Sequence, residues 1–157
     1  VTAIEIPGLI GNEPIHVFVP GQPAPQGSVR AINHRSTGRA VVIKDNNATQ
    51  KAWRSYVRDA LIGPDGQPLR RFDEAVHVDL DFVMKRPLST PKRRTPPATK
   101  KPDLDKLVRA VFDAITSAGV WPDDSYAVQL HSSKRLAELG EAPGCLIRIA
   151  GARWGFE

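Results

Sequence analysis

The sequence predicts one α+β domain spanning residues 1–157, built on a mixed or antiparallel sheet of about four to six strands with two main helices. Three observations predict it. A chain of 157 residues is long enough for one apolar core and short for two. Segments that alternate apolar and polar residues, such as Ile15 to Val19 and Val76 to Met84, require strands. Two other segments, around Trp53 and around Val111, carry apolar residues at helical spacing, and each runs into a glycine.

Residues 1–13 show no periodicity and are expected to form a flexible lead-in. Ile15-His-Val17-Phe-Val19 alternates as a half-buried strand that Pro20 stops. Gly21 to Gly27 reads as a turn. Ser28 to Asn33 and Arg39 to Lys44 then read as the two strands of a hairpin around the polar tip Asn33 to Gly38. From Asn47 the period changes: Trp53, Tyr56, Val57, Ala60 and Leu61 share a helical face, Asn46 or Asn47 can cap it, and Gly63-Pro64 terminates it. Lys51, Arg54 and Arg58 lie on the opposite face, as solvated charge or as phosphate contacts.

Between Ala75 and Lys85, Val76, Val78, Leu80, Phe82 and Met84 point one way and His77, Asp79, Asp81 and Lys85 the other. The polar side reads either as a sheet face left toward solvent or as a contributor to a metal site. A second helix spans Leu104 to about Ala118, burying Leu104, Leu107, Val108, Val111 and Ile115 and stopping at Gly119. Val128 to Lys134 and Cys145 to Ala150 follow as β-rich strands, separated by a turn region.

The net charge of +5 favours a polyanionic partner. The lone cysteine, Cys145, cannot pair within one chain and sits in an apolar run, as expected of a small buried hydrophobe in a reducing compartment. No stretch is long and apolar enough to span a membrane, and the N-terminus lacks the blocks of a signal peptide, so a cytoplasmic protein with no membrane partner is expected.

Chemistry concentrates between residues 86 and 124. Arg86 to Pro102 contains Pro87, Pro91, Pro96, Pro97 and Pro102 together with Arg86, Lys92, Arg93, Arg94, Lys100 and Lys101, and no acid. It is either an ordinary mobile loop or a phosphate-binding one that a ligand orders. Two acidic doublets follow, Asp103-Leu-Asp105 and Asp123-Asp124, separated by the second helix. Singly, each acid suits a cap, a first helical turn or a turn. Asp103 and Asp105 converge only if Asp103 is the non-helical cap, and strand direction decides whether Asp124 approaches them. Clustered carboxylates would call for a divalent cation, and oxygen-only ligands favour Mg²⁺ or Mn²⁺. Lys106 and Arg109 follow the first doublet. With Asp113 they form either a surface ion-pair ladder or, at Arg109, a clamp for a scissile phosphate.

Other chemistries fit worse. No Gly-rich phosphate loop occurs, and neither Cys145 nor His16, His34, His77 or His131 has zinc-ligand spacing. An aspartate-nucleophile phosphatase would place its Asp-x-Asp at the end of an apolar strand, whereas Lys100-Lys101-Pro102 precedes it here.

Lys101-Pro-Asp103-Leu-Asp105-Lys-Leu107, the helix to Gly119 and Trp121-Pro-Asp123-Asp124 together resemble the RusA-type Holliday-junction resolvases, with matching spacing between the doublets. Lys134 stands where that family carries a lysine, and Pro20-Gly-Gln-Pro-Ala-Pro-Gln-Gly27 is similar to its N-terminal loop. The resemblance implies a homodimer that binds four-way DNA junctions and, with Mg²⁺ or Mn²⁺, makes paired symmetric nicks with 5′-phosphate and 3′-hydroxyl ends. Asp103, Asp105 and Asp124 match the family's catalytic, metal-holding acids. Lys106 replaces the usual asparagine, and Arg109 occupies the place of a catalytic lysine; a guanidinium can clamp phosphate but cannot exchange a proton. Lys92, Arg93, Arg94, Lys100, Lys101, Lys106 and Lys134 are the candidate DNA contacts.

Twofold-related strands of a junction match an isologous dimer, whose surface is expected at Trp154 and Phe156 or at Ile4, Ile6, Leu9 and Ile10. The same acids and loop would equally serve a nuclease for flaps, forks or other branched DNA. A non-catalytic DNA-binding module, with Asp103 and Asp105 merely capping a helix, is the alternative of a different class.

Overall fold

The computed structural model describes residues 13–27, 29–33, 40–44 and 48–153. Its framework is a four-stranded mixed sheet. We number the strands β1 (Ile15–Pro20), β2 (Val29–Asn33), β3 (Ala40–Lys44), β4 (Val76–Met84), β5 (Ala127–Leu136) and β6 (Gly144–Gly151), and the helices α1 (Ala48–Ala60) and α2 (Leu104–Ala118). The sheet order is β1-β6-β4-β5, with β4 and β5 parallel and the other pairs antiparallel. β2 and β3 pair with each other as a separate antiparallel ribbon. The strand count and two-helix architecture expected from sequence are thus present. The candidate caps Asn46 and Asn47, residues 34–38 of the expected hairpin tip, residues 1–12 of the expected lead-in, and the dimer-surface candidates Ile4, Ile6, Leu9, Ile10, Trp154 and Phe156 lie outside the described residues; Asn33, the first residue of that tip, ends β2.

β4 is the sheet's organiser because it is paired on both sides. Val76, Val78, Leu80, Phe82 and Met84 are all buried, and β6 adds Cys145, Ile147 and Ile149 to the same core. α1 contributes Trp53 and Val57, with Leu61 just beyond it, and α2 contributes Leu107, Val108, Val111 and Ile115 together with Ala110, Ala114 and Ala118. Tyr56 departs from expectation: 55% of it is exposed, because α1 turns only its narrower Trp53–Val57–Leu61 edge toward the core. α2 ends where Gly119 adopts φ 76°, the left-handed conformation glycine takes without a Cβ penalty, and its N–H reaches the Thr116 carbonyl. Burial pushes the Cys145 thiol pKa up, as for an inert core cysteine.

The other sheet face carries polar rows. His16, Arg148, Asp79 and His131 stand side by side across β1, β6, β4 and β5. His77 Nε2 lies 2.9 Å from Asp79, and Asp81 accepts a 2.5 Å bond from Ser133 Oγ. Among the described residues no helix is long and apolar enough to cross a membrane.

Between β4 and α2 runs the proline-rich basic loop, and one of its own arginines orders it. The Arg86 guanidinium donates to Thr95 Oγ1 (2.7 Å) and to the carbonyls of Pro91 (2.5 Å), Arg94 (2.9 Å) and Ala137 (3.2 Å). Thr95 in turn donates to Glu138 at 2.6 Å. Arg86 therefore acts as an internal staple, a forked donor satisfying carbonyls that the prolines cannot pair. Arg86→Ala is expected to leave the sheet folded while making the loop the first site of tryptic cleavage, at Lys92–Arg94, in a timed limited digest.

Gly144 opens β6 against β1 with no room for a side chain: a Cβ there would come within 3.0 Å of the Val19 carbonyl oxygen and the Phe18 ring. Gly144→Ala should lower unfolding free energy by about 1–3 kcal/mol, the usual cost of overpacking, read from the urea midpoint.

Candidate active site

α2 buries one face, and its other face forms the candidate site. Asp103 is the N-cap residue with extended backbone (φ −71°, ψ 142°), the non-helical geometry required for it to turn toward Asp105. Its side chain makes no capping bond. The carboxylate instead lies 3.8 Å from Lys106 Nζ, an exposed pair that contributes little stability. Capping therefore does not account for Asp103. Asp105, Arg109 and Asp113 then follow at four-residue intervals along the helix, with Asp105 and Arg109 exposed and Asp113 half-buried.

Lys134, on β5, anchors the start of this array. Its ammonium donates to the carbonyls of Lys100 (2.9 Å) and Pro102 (2.8 Å), so it clamps the backbone that delivers Asp103. Lys92, Arg93, Arg94, Lys100 and Lys101 are exposed on the ordered loop leading into that clamp. The loop and the end of β5 enclose a cavity of about 430 Å³, with Pro96, Pro97, Lys100, Lys101 and Leu136 among its lining residues.

At the far end of α2, Trp121 is the anchor. Its ring is 2% exposed and packs edge-on to Phe112 (5.2 Å between centroids), and its indole N–H donates to Thr116 Oγ1 at 2.7 Å. The chain beyond it turns into a short 3₁₀ segment, Asp124–Tyr126, capped by Asp123. Asp123 is held below the usual carboxylate range by its bonds to Ser125. It is spent on that turn, which leaves Asp124 projecting, exposed.

Asp124 lies within electrostatic reach of Asp113. The Asp113 carboxyl has a raised pKa, first through burial; the Arg54 cation opposes the rise, the Asp124 charge adds to it, and the Arg109 cation opposes it. Asp113 also accepts a 2.5 Å bond from Gln26 Nε2, and the Gln26 backbone N–H donates to the Lys106 carbonyl at 3.1 Å. The N-terminal turn thus lies along the same helical face. Sequence reading placed Asp113 in an ion-pair ladder and gave Gln26 no partner, because a contact across 87 residues leaves no local signature.

Parallel pairing of β4 and β5 settles strand direction. α2 is the crossover between them, so it runs back along the sheet: Asp103 and Asp105 stand at its N-terminus, and Asp124 joins near Asp113, about 12 Å further along the axis from Asp105 at 1.5 Å per residue. Among the described residues no three His, Cys, Asp or Glu side chains assemble as a ready metal cage. Arg109 lies between the two acidic ends. Asp79 and Asp81 belong to the opposite sheet face, away from α2.

No curated protein matches the chain. The family described as endodeoxyribonuclease RusA matches residues 20–150, a span that includes the N-terminal turn, the basic loop, α2, the Trp121 anchor and β5. The chain belongs to the RusA endodeoxyribonuclease family.

Proposed function

We propose that the protein is a Mg²⁺-dependent endonuclease that resolves four-way (Holliday) DNA junctions as a homodimer, by paired symmetric nicks that leave 5′-phosphate and 3′-hydroxyl ends. One observation carries this reading beyond family membership. A single helix presents Asp103, Asp105 and Arg109 to solvent at the exit of an ordered loop whose five exposed cations, Lys92, Arg93, Arg94, Lys100 and Lys101, face no acid of their own segment. Cations that hold a phosphate backbone therefore adjoin acids suited to a hard metal ion.

The donor set fits Mg²⁺ or Mn²⁺. Asp103 and Asp105 offer only oxygen, and Mg²⁺ characteristically takes one or two carboxylates and completes its shell with water and phosphate oxygens, so this pair suffices to hold an ion, whereas Asp124, at the other end of α2, is too far along the helix to share it within one protomer. When bound, the ion would activate water and neutralise phosphate charge. The chain's own residues do the rest. Lys134 fixes the Asp103 backbone through Pro102. The loop cations bind phosphates either side of the cleavage point, reading shape more than sequence. Arg109 places a fork of N–H donors against the non-bridging oxygens and offsets the negative charge that develops as the phosphorus becomes five-coordinate.

The direct test is a synthetic mobile four-way junction incubated with Mg²⁺. Wild type is expected to bind and nick it symmetrically, and Asp105→Asn to bind with unchanged affinity while nicking at least about a hundredfold more slowly. A wild-type protein that binds tightly but leaves the junction intact would overturn the enzymatic reading; preferential cutting of flaps or forks in competition would redirect it to another branched substrate.

A second prediction concerns salt. Replacing Lys92, Arg93 and Arg94 by alanine together should reduce the slope of log affinity against log salt by about 2–3, at about 0.9 per lost phosphate contact, with cleavage of saturated complexes little changed. Fluorescence anisotropy across a salt series measures the slope.

A further inference from the structure

The N-terminal turn touches α2 where the proposed chemistry takes place. Gln26 spans the functional face with two bonds, its N–H to the Lys106 carbonyl and its side-chain amide to the Asp113 carboxylate. Those two α2 positions bracket Arg109. Gln22 ties the other end of the turn to the fold by accepting the Lys85 N–H at 2.9 Å. The turn is therefore braced at both ends.

Asp113 is where these contacts meet the charged groups. It stands one helical turn after Arg109, on the same face, and the charges of Arg54, Arg109 and Asp124 all act on it. A half-buried carboxylate ringed by two cations, an acid and one neutral amide donor has its orientation set by the amide, since that bond is directional and the charge interactions are not. The carboxylate so fixed stands one helical turn from Arg109 and acts on its guanidinium through charge, the two forming no ion pair in this structure.

We propose that Asp113, oriented by Gln26, is a positioning residue of the phosphodiester-cleaving site, acting through Arg109 to hold its guanidinium for the scissile phosphate. This inference rests on the nuclease reading above.

Asp113→Asn tests it, because asparagine keeps an oxygen to accept the Gln26 bond and removes only the charge. Single-turnover nicking of a four-way junction with Mg²⁺ is expected to slow tenfold or more, with the junction Kd within twofold of wild type and the thermal unfolding midpoint unchanged. Gln26→Ala should slow it in the same direction, and it carries the test should Asp113→Asn fail to fold. In an Arg109→Lys background, Asp113→Asn should cost less than threefold, since the group it positions has already been altered; a merely structural role would give the same loss in both backgrounds. Nicking by Asp113→Asn within twofold of wild type, or an undiminished loss in the Arg109→Lys background, would overturn the inference while leaving the nuclease reading intact. Failure of wild type to nick any branched DNA would overturn both.

Discussion

The parallel pairing of β4 with β5 is the constraint on which the rest of the molecule depends. Two parallel neighbours cannot be joined by a tight turn, so the chain must cross over the sheet, and α2 is that crossover. Its direction is then fixed antiparallel to both strands, its apolar face is pressed onto Leu80, Phe82 and their neighbours, and its polar face is left outward. The basic loop becomes the outbound half of the crossover and the Trp121 turn the return half. Every candidate functional residue from Lys92 to Lys134 lies on this one unit or on the strand that completes it.

Because the unit is closed at both ends by specific bonds, its functional groups sit on braced backbone. Lys134 reaches from β5 to the Lys100 and Pro102 carbonyls, Arg86 gathers two loop carbonyls, the Ala137 carbonyl and Thr95, and the Trp121 indole seals the return turn against α2. In the first two cases a long side chain with several donors satisfies backbone that proline-rich sequence cannot pair in a ladder, and in the third the single indole N–H bonds the Thr116 hydroxyl. Three of the most conspicuous polar or amphipathic side chains of the region are consequently structural in what they touch, and the exposed cations around them remain for a polyanion.

Elements with strong periodicity were legible in the sequence. β4 was announced by five alternating apolar residues and α2 by its apolar stripe and Gly119, since burial on one face imposes those periods directly. The extended backbone of Asp103 was legible too, because two acids two residues apart can turn the same way only if one is outside the helix. What was not legible depended on long-range partners. Tyr56 falls on the helical period yet stays exposed, as periodicity gives a face but not the width that neighbours cover. The loop at 86–102 reads from composition as mobile or as a phosphate-binding loop, and its internal tie through Arg86 has no sequence signal, since that residue is indistinguishable in sequence from the cations around it. The Gln26–Asp113 bond joins segments whose proximity only the assembled fold creates.

The spacing of the acids along α2 has an electrostatic logic. Two carboxylates brought to about 4 Å repel by roughly 4 kcal/mol at an effective dielectric of 20, so a preassembled triad would burden the fold at all times for a benefit realised only with metal and substrate. Distributing Asp103 and Asp105 at one end and Asp124 near Asp113 at the other, with Arg109 between, separates the charges of the two ends by a length of helix at which Coulomb repulsion is weak. On the proposed function, metal and scissile phosphate arrive together at a face whose acids are held apart by a helix and steadied by cations. Affinity for the polyanion then resides in the loop and reactivity in the helix. The two are adjacent in sequence because the crossover that forms one must run directly into the other.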